Sequence, residues 1–591
     1  MTTYTSKDIS FTSKEREIAY ISYILLVVLI TFGYYFWVEI SRTDFLNYPL
    51  VYGTGDISVV LYRSHEMRFD NAIFAFNQLG APDSSNTFNY YAFDFLILFI
   101  QYIIAKITPT YIIGFNTFVL GGAYLNGAAS LYAIRRLGFR RLLSVVPAIV
   151  MTAQPFFFHR ALGHTYLSYY FAVPIAGVLA IELAQGKFAF FFDQSFGLRT
   201  RINNLLLLIV IGLSGMYYVY FSVFFFLIAL IFRLFNKRNP KEVLSFIQAA
   251  LIPSFFMLIA AVPYINNIIN GTTGILAEAR IGSAPDASDD FSLHFLSLIL
   301  PVYQHRVPAF SNLRSLYIEK TSAGEADLYG LGILLIVSLL LIVIGTVVRK
   351  LRNELFGLLF TFVASALFVS LRSPINLSIV LINPYIRCYN RISIFISFFS
   401  SVALAFILDK FANYLSAKIR GKTIVIELLI VIILSNFAYW DQTGVRQFPD
   451  EDDLLTSESL FDEESSFVDS IVSKEEVDIL IIPYEDFPEG LPQNDLQAND
   501  LFSLVVHSNL INISFGSIPG TQSYEKLNSI AYQSIESQTI FALSEGYDGV
   551  ILATTAFDTA TANDCINKIS SQLGQPDALC SRFVYWEIDQ V

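Results

Sequence analysis

Cysteine is scarce, with three in 591 residues, and no cysteine/histidine cluster has the spacing of a zinc site. A P-loop, a dinucleotide-binding glycine pattern after a strand and a nucleophile elbow are all missing. No nucleotide therefore drives this chain through a recognisable site. Basic charge is in deficit: 38 Lys and Arg stand against 50 Asp and Glu, a net charge of −12. That balance argues against nucleic acid as a partner. A cleavable signal peptide is not evident either. Lys7, Lys14 and Arg16 precede an apolar run of about 20 residues, too long for a signal h-region. The N-terminal segment reads instead as a signal-anchor with a cytoplasmic N-terminus.

What is present is apolar surface. Hydrophobic residues make up 54% of the chain and mean hydropathy is +0.54, above what a soluble globular chain carries. The 54 Phe and 33 Tyr suit lipid-facing and interfacial helix surfaces. The charge is split. Residues 441–591 hold 27 acidic and five basic side chains, which leaves 23 acidic and 33 basic for 1–440. A mildly basic membrane part is joined to a strongly acidic soluble part.

Two rules order the membrane part: a span needs about 17–25 apolar residues, and short Lys/Arg-rich loops stay in the cytoplasm. They predict spans at 19–38, 111–134, 142–158, 166–183, 204–232 (two short helices with an outer turn), 243–264, 331–348, 355–370, 392–408 and 424–439. Residues 93–107 are apolar but short, and are read as not crossing, because two crossings there would put Arg135, Arg136, Arg140 and Arg141 outside. The expected fold is a multi-pass α-helical membrane protein of about eleven spans, with a small C-terminal extracytoplasmic α/β domain. Residues 1–440 form the membrane domain, with an outer loop at 41–89 and a second outer segment at 266–327. An acidic linker follows at 441–476, and the α/β domain occupies 477–591. Short apolar runs at 477–483, 549–553 and 583–588 predict its strands. Helical stretches are expected around 527–537 and 562–573. Cys565 and Cys580 both fall in this domain and could pair in an oxidising compartment, or stay as two buried thiols.

Clustered charge at the rim of a helical bundle is costly to desolvate and therefore suggests a site. Four clusters qualify, all on the outer side. Gly55-Asp56 stands in the first outer loop with Asp70, Asp83 and Asp94 as companions. Its carboxylate can take a proton from an acceptor hydroxyl, or be an ordinary turn or N-cap aspartate. His159, Arg160 and His164 form a short turn able to hold phosphate oxygens, or to anchor at headgroups. Arg387 and Arg391, four apart, would share one helical face at the mouth of a span and clamp a lipid-linked phosphate. Glu325 and Asp327 stand just before a span. They could orient a sugar, hold a divalent cation with Asp56, or simply favour a helix N-terminus. Tyr217 and Tyr218 could stack on a sugar ring or belong to an aromatic belt.

A first span, a long outer loop with an early aspartate, about ten more spans and an outer soluble domain together resemble the GT-C superfamily of integral-membrane glycosyltransferases. The turn His159-Arg160-Ala161-Leu162-Gly163-His164 with Ser168-Tyr169-Tyr170 and Pro174, the loop Asn77-Gln78-Leu79-Gly80-Ala81-Pro82 and the segment Ile386-Arg387-Cys388-Tyr389-Asn390-Arg391-Ile392-Ser393 resemble a bacterial subfamily of it. The resemblance implies a polyprenyl-phosphate-linked sugar donor in the bacterial cytoplasmic (inner) membrane. It implies a glycan or glycolipid acceptor at the outer face, and an early-loop aspartate, here Asp56, as base. The commoner paired acidic motif is absent, since Ile57 follows Asp56. Metal need is therefore open. Other classes remain: a lipid-linked sugar flippase, which would show repeats and mid-span charge, a polysaccharide polymerase, or an assembly protein.

Overall fold

The computed structural model describes residues 44–53, 55–69, 73–86, 94–140, 142–236, 240–270, 288, 290–321, 329–348, 353–383, 386–418, 423–444, 451–472, 475–485, 487, 493–497, 499–518 and 521–588. The first expected span, 19–38, lies outside them.

Helices dominate the described residues. Four described helices are long and apolar enough to cross a membrane: Met216–Phe235, Val243–Ile269, Tyr389–Leu415 and Ile424–Gln442. Shorter apolar helices cover Phe95–Ile107, Ala172–Ala184, Ile333–Val347 and Glu354–Ser370. The Ser393–Lys418 helix is the central post. Ile394, Phe395, Ile396, Phe398, Phe399, Val402 and Ala403 are all buried, and a helix apolar on every side belongs in the middle of a bundle. Gly177 lets a neighbour approach it, since a Cβ there would come within 2.4 Å of the Phe398 ring.

The expected break within 204–232 is found. Helices Leu198–Gly212 and Met216–Asn236 flank a turn in which Gly215 has φ +105°. Two other expected spans are interrupted. Residues 142–158 divide into Val145–Thr152 and Pro155–Ala161, because Pro155 cannot donate to the helix ladder and disfavours helical geometry at Gln154. Gln154 fills the gap, donating to the Val150 carbonyl (2.9 Å) and accepting from Ser397 (2.8 Å). Residues 166–183 divide into Thr165–Ser168 and Ala172–Ala184. The intervening Tyr169 and Tyr170 are buried and donate to the Phe118 and Met151 carbonyls.

The arginine-rich turn is tied to acids at one end of the bundle. Arg136 pairs with Glu182 at 2.6 Å, and Arg140 with Asp409 at 3.3 Å and with Glu427. The opposite end carries the C-terminal domain. Its sheet runs β4-β3-β5-β7-β6, with β3 (Val477–Ile482), β4 (Ile511–Ile513), β5 (Gly549–Ala553), β6 (Ala578–Leu579) and β7 (Phe583–Glu587). β4, β3 and β5 are parallel, and β7 and β6 are antiparallel. The three predicted strands are β3, β5 and β7. The helix expected around 527–537 is two, Gln522–Ala531 and Ile535–Glu545, each with its own N-cap, Thr521 and Ser534.

One expectation on this side is corrected. The acidic 441–476 stretch is largely not a linker. Glu451–Ile471 is a helix that buries Leu454, Phe461, Phe467 and Val468, a seam of near-heptad spacing hidden among acids. Asp441 still belongs to the preceding Thr423–Gln442 helix and accepts the Ile333 amide at 2.5 Å. Cys565 and Cys580 are free thiols. Cys565 sits in one apolar cluster with Leu480 and Trp586, while Cys580 packs at the edge of the other.

Residues 75–86 are built into this sheet. β1 (Ala75–Phe76) and β2 (Ser85–Asn86) pair with each other, and the turn between them adds to the free edge of β4. The Gly80 amide donates to Phe515 (2.9 Å), Ala81 to Ile513 (3.0 Å), and Ile513 back to Gln78 (2.9 Å). An exposed edge strand demands such pairing. Tyr547 adds a bond to the Ala81 carbonyl at 2.6 Å.

Candidate active site

Gly55 and Asp56 open the Gly55–Phe69 helix. Gly55 has φ +55°, and a Cβ there would meet nothing within 4 Å. Backbone conformation, not space, therefore calls for glycine. The helix is polar in composition yet buries Tyr62, Arg63, Ser64, His65 and Glu66, because neighbours cover it on several sides. The helices Phe95–Ile107 and Tyr111–Arg136 and the short Phe502–Val505 helix pack against it.

The Asp56 carboxylate is held at both oxygens. His164 Nδ1 lies 2.5 Å from Oδ2, and the Asn499 amide donates to Oδ1 at 2.9 Å. Asp56 and His164 are both about half exposed, at 45% and 43% of their side chains, so a ligand can reach the pair. Burial disfavours the charge on Asp56. The His164 hydrogen bond and charge, the Asn499 amide and the nearby Arg160 outweigh it, and the carboxyl is held below its ordinary 3.8. Arg160 is buried, in the last turn of Pro155–Ala161, with its guanidinium 5.7 Å from the Phe156 ring centroid. His159 shares that last turn. The interrupted span at Pro155 is what brings this turn to Asp56.

A second charged centre lies beside the first. Asp94 caps the Phe95–Ile107 helix without a side-chain cap bond. A Cβ on Gly215 would fall 2.2 Å from its Oδ1, so only glycine admits the carboxylate there. Burial pushes the Asp94 carboxyl up from 3.8 to about 6, against the pull of Arg391 and Arg63. Arg391 lies over the Tyr217 ring at 4.2 Å from the centroid, and Arg63 over Phe76 at 4.4 Å. The charges of Arg391, Arg160 and Asp94 all reach Tyr218, which joins the two centres.

Asp56, Asp94, Arg160, His164, Arg391 and Tyr217 therefore come together at the end of the bundle opposite Arg136 and Arg140. Arg387 does not share a helical face with Arg391. Only Tyr389–Ile392 is helical, as a 3₁₀ turn, and Arg387 precedes it in non-helical chain. It lies against Phe291 at 5.5 Å instead. Tyr218 is buried, with its hydroxyl on the Leu167 carbonyl, and is not free to stack on a sugar. Glu325 and Asp327 lie outside the described residues. Among the described residues no group of three or more His, Cys, Asp or Glu could hold a metal ion.

Sequence reasoning missed Arg63 and the pair Asn499-Asp500. Arg63 carried a signal, as a basic residue one helical repeat on from Asp56. Asn499 carried none beyond turn-like composition, although it has φ +71°, a region where asparagine is enriched among non-glycine residues.

The chain is similar to the crystal structure of ArnT from Cupriavidus metallidurans bound to undecaprenyl phosphate. The TM-score is 0.44 at 11% identity over 97% of this chain and 98% of that one. It is also similar to the oligosaccharyltransferase of Archaeoglobus fulgidus in complex with Zn and sulfate, with a TM-score of 0.41 at 14% identity over 91% of this chain and 68% of that one. No curated protein matches the chain. Residues 22–401 match the family model described as Domain of unknown function (DUF6311), and the chain belongs to that family.

Proposed function

We propose that this chain is a GT-C-type membrane glycosyltransferase. It moves a sugar from a polyprenyl-phosphate-linked donor to a glycan or glycolipid acceptor at the outer face of the bacterial cytoplasmic membrane. The observation that carries the reading is the half-exposed Asp56–His164 pair beside Arg160 and the Asp94–Arg391 centre, at the end of the helices away from the basic loops.

The acceptor oxygen attacks the anomeric carbon of the donor, and the bond from that carbon to the phosphate oxygen breaks. The phosphate leaves with the electron pair, and the acceptor proton passes to the Asp56–His164 pair. Arg160 and Arg391 face the charge that grows on the departing phosphate. The phosphate is a good leaving group without protonation, so the site needs no separate acid. Arg391, held over the Tyr217 ring, presents a planar guanidinium suited to phosphate oxygens. Asp94 offsets part of its charge. Arg387, His159 and, outside the described residues, Glu325 and Asp327 remain candidates for the donor's head group and sugar.

The test is transfer of label from a polyprenyl-phosphate sugar to a lipid or glycan acceptor by purified protein in vesicles. Wild type should transfer and Asp56→Asn should lose the activity by about a hundredfold or more, the scale of a general base. Undiminished transfer by Asp56→Asn would remove the base assignment. Movement of the lipid across the vesicle without transfer would replace the enzyme reading with a flippase.

A further inference from the structure

We propose that the C-terminal domain supplies a positioning residue, Asn499, to the reaction centre, and so is part of the transferase rather than an appended module. The inference rests on the reading of Asp56 as proton acceptor. It starts from the two sides on which Asp56 is held. His164 comes from the membrane part and takes Oδ2 at 2.5 Å. Asn499 comes from the soluble part and donates to Oδ1 at 2.9 Å. A carboxylate bonded at both oxygens by different elements keeps one rotamer, and the orientation of a ligating or proton-accepting group is commonly set by such outer partners.

Asn499 is built for this. It is 5% exposed and sits at φ +71°, where its backbone turns the amide toward the outer loop. The next residue locks that turn. Asp500 accepts the Gly55 amide at 3.1 Å and the Gln497 amide at 2.9 Å, and pairs with Arg582 at 3.2 Å. Arg582 pairs with the buried Glu464 at 3.1 Å, and Glu464 accepts Tyr52 of the outer loop at 2.5 Å. The closed path Gly55–Asp500–Arg582–Glu464–Tyr52 therefore fixes the soluble domain on both flanks of the chain leading into Asp56. The side chain at 499 also suits its task chemically. A neutral amide adds a donor without competing with His164, whereas a carboxylate there would face Asp56 with like charge. The charged groups near Asp56 are His164 and Arg160 from the membrane part, and Asp500 with its partner Arg582 from the soluble domain.

The experiment uses the full chain and a labelled polyprenyl-phosphate sugar, over a pH series. N499G keeps the left-handed backbone and removes the amide. N499D keeps backbone and volume but reverses the interaction. Protection of residues 477–588 from protease shows that the domain stays docked. The expected result for N499G is a fall in kcat of about tenfold or more, the scale of one hydrogen bond to a charged group, with little change in KM for the donor. The acid limb of its pH profile should move to higher pH, because Asp56 loses a donor to its charged form. N499D should fall further. If N499G undocks, N499D is judged by the same criterion. A docked variant with wild-type kcat and an unmoved acid limb, alongside an inactive Asp56→Asn, overturns the role of Asn499 alone. An active Asp56→Asn instead overturns the reading on which it rests.

Discussion

Asp56 and Asp94 are pulled in opposite directions by their surroundings. Two donors hold the first charged, and burial raises the second to about 6. The sign for Asp94 follows. Its folded pKa exceeds the ordinary 3.8, so the folded state keeps its proton longer. The contribution to stability is full below about pH 4 and is lost as pH rises through about 6. Asp94→Asn should therefore flatten the fall in melting temperature between those values. If charged Asp94 orients Arg391, transfer should rise through about pH 6 in wild type, and that limb should vanish in Asp94→Asn. Arg391→Lys keeps the charge over Tyr217 but not the planar, forked guanidinium, and a loss of about tenfold in kcat/KM is expected, one charge-assisted bond. The grouping of Asp56, Arg160, His164 and Arg391 was legible in the sequence as charge at span ends, although a turn aspartate or a headgroup anchor accounts for such residues equally well until their neighbours are known. The pairing of Arg387 with Arg391 was misread, since spacing of four implies a shared face only if the segment is helical. Asn499 could not be read, because a polar amide in a loop has nothing to distinguish it until its partner is known.

Elements repeat that lesson. Apolar runs of strand length located β3, β5 and β7, and the excess length of the apolar run 204–232 over one short helix, with Gly212, Gly215 and the tyrosines after them inside it, located the break at Gly215. The Glu451–Ile471 helix was hidden by acid density, although its apolar seam was present. The loop Gln78–Ala81 gave no strand pattern of its own, because the edge of β4 imposes its conformation. Gly80 has φ +80°, and a Cβ there would lie 2.8 Å from Ser85 Oγ. Gly80→Val should therefore loosen the edge, read as faster proteolysis of residues 477–588 with the membrane helices intact. His507 lies at the same junction, 2.6 Å from Tyr52 Oη. Burial pulls its pKa from 6.5 down to about 3, with His65 adding to the effect. The folded state resists protonation there, so docking should weaken as pH falls from about 6.5 toward 3. His507→Gln should blunt that loss in a protease-protection series.

For the whole molecule, the charge split at residue 440 becomes an arrangement in space. Arg136 and Arg140 are tied to acids at one end of the helices, and the soluble domain closes the other. Span counting by hydropathy was less secure than this polarity, because Pro155 and the buried tyrosines interrupt two apolar runs that composition alone makes continuous. A chain stopped after Thr443 should still insert, but should lose transfer to the level of Asp56→Asn. Full activity in the truncated chain would make the soluble domain dispensable.

Asp56 and Asn499 are 443 residues apart in sequence, and this separation sets a timetable. The membrane part is synthesised first and carries the acid, the histidine and the arginines. On the reading proposed above, the site it carries stays incomplete until the ribosome has passed residue 499 and the C-terminal sheet has folded against it. Incomplete or stalled chains would occupy the bilayer without consuming lipid-linked sugar. On that reading, the order of synthesis would itself guard the donor supply.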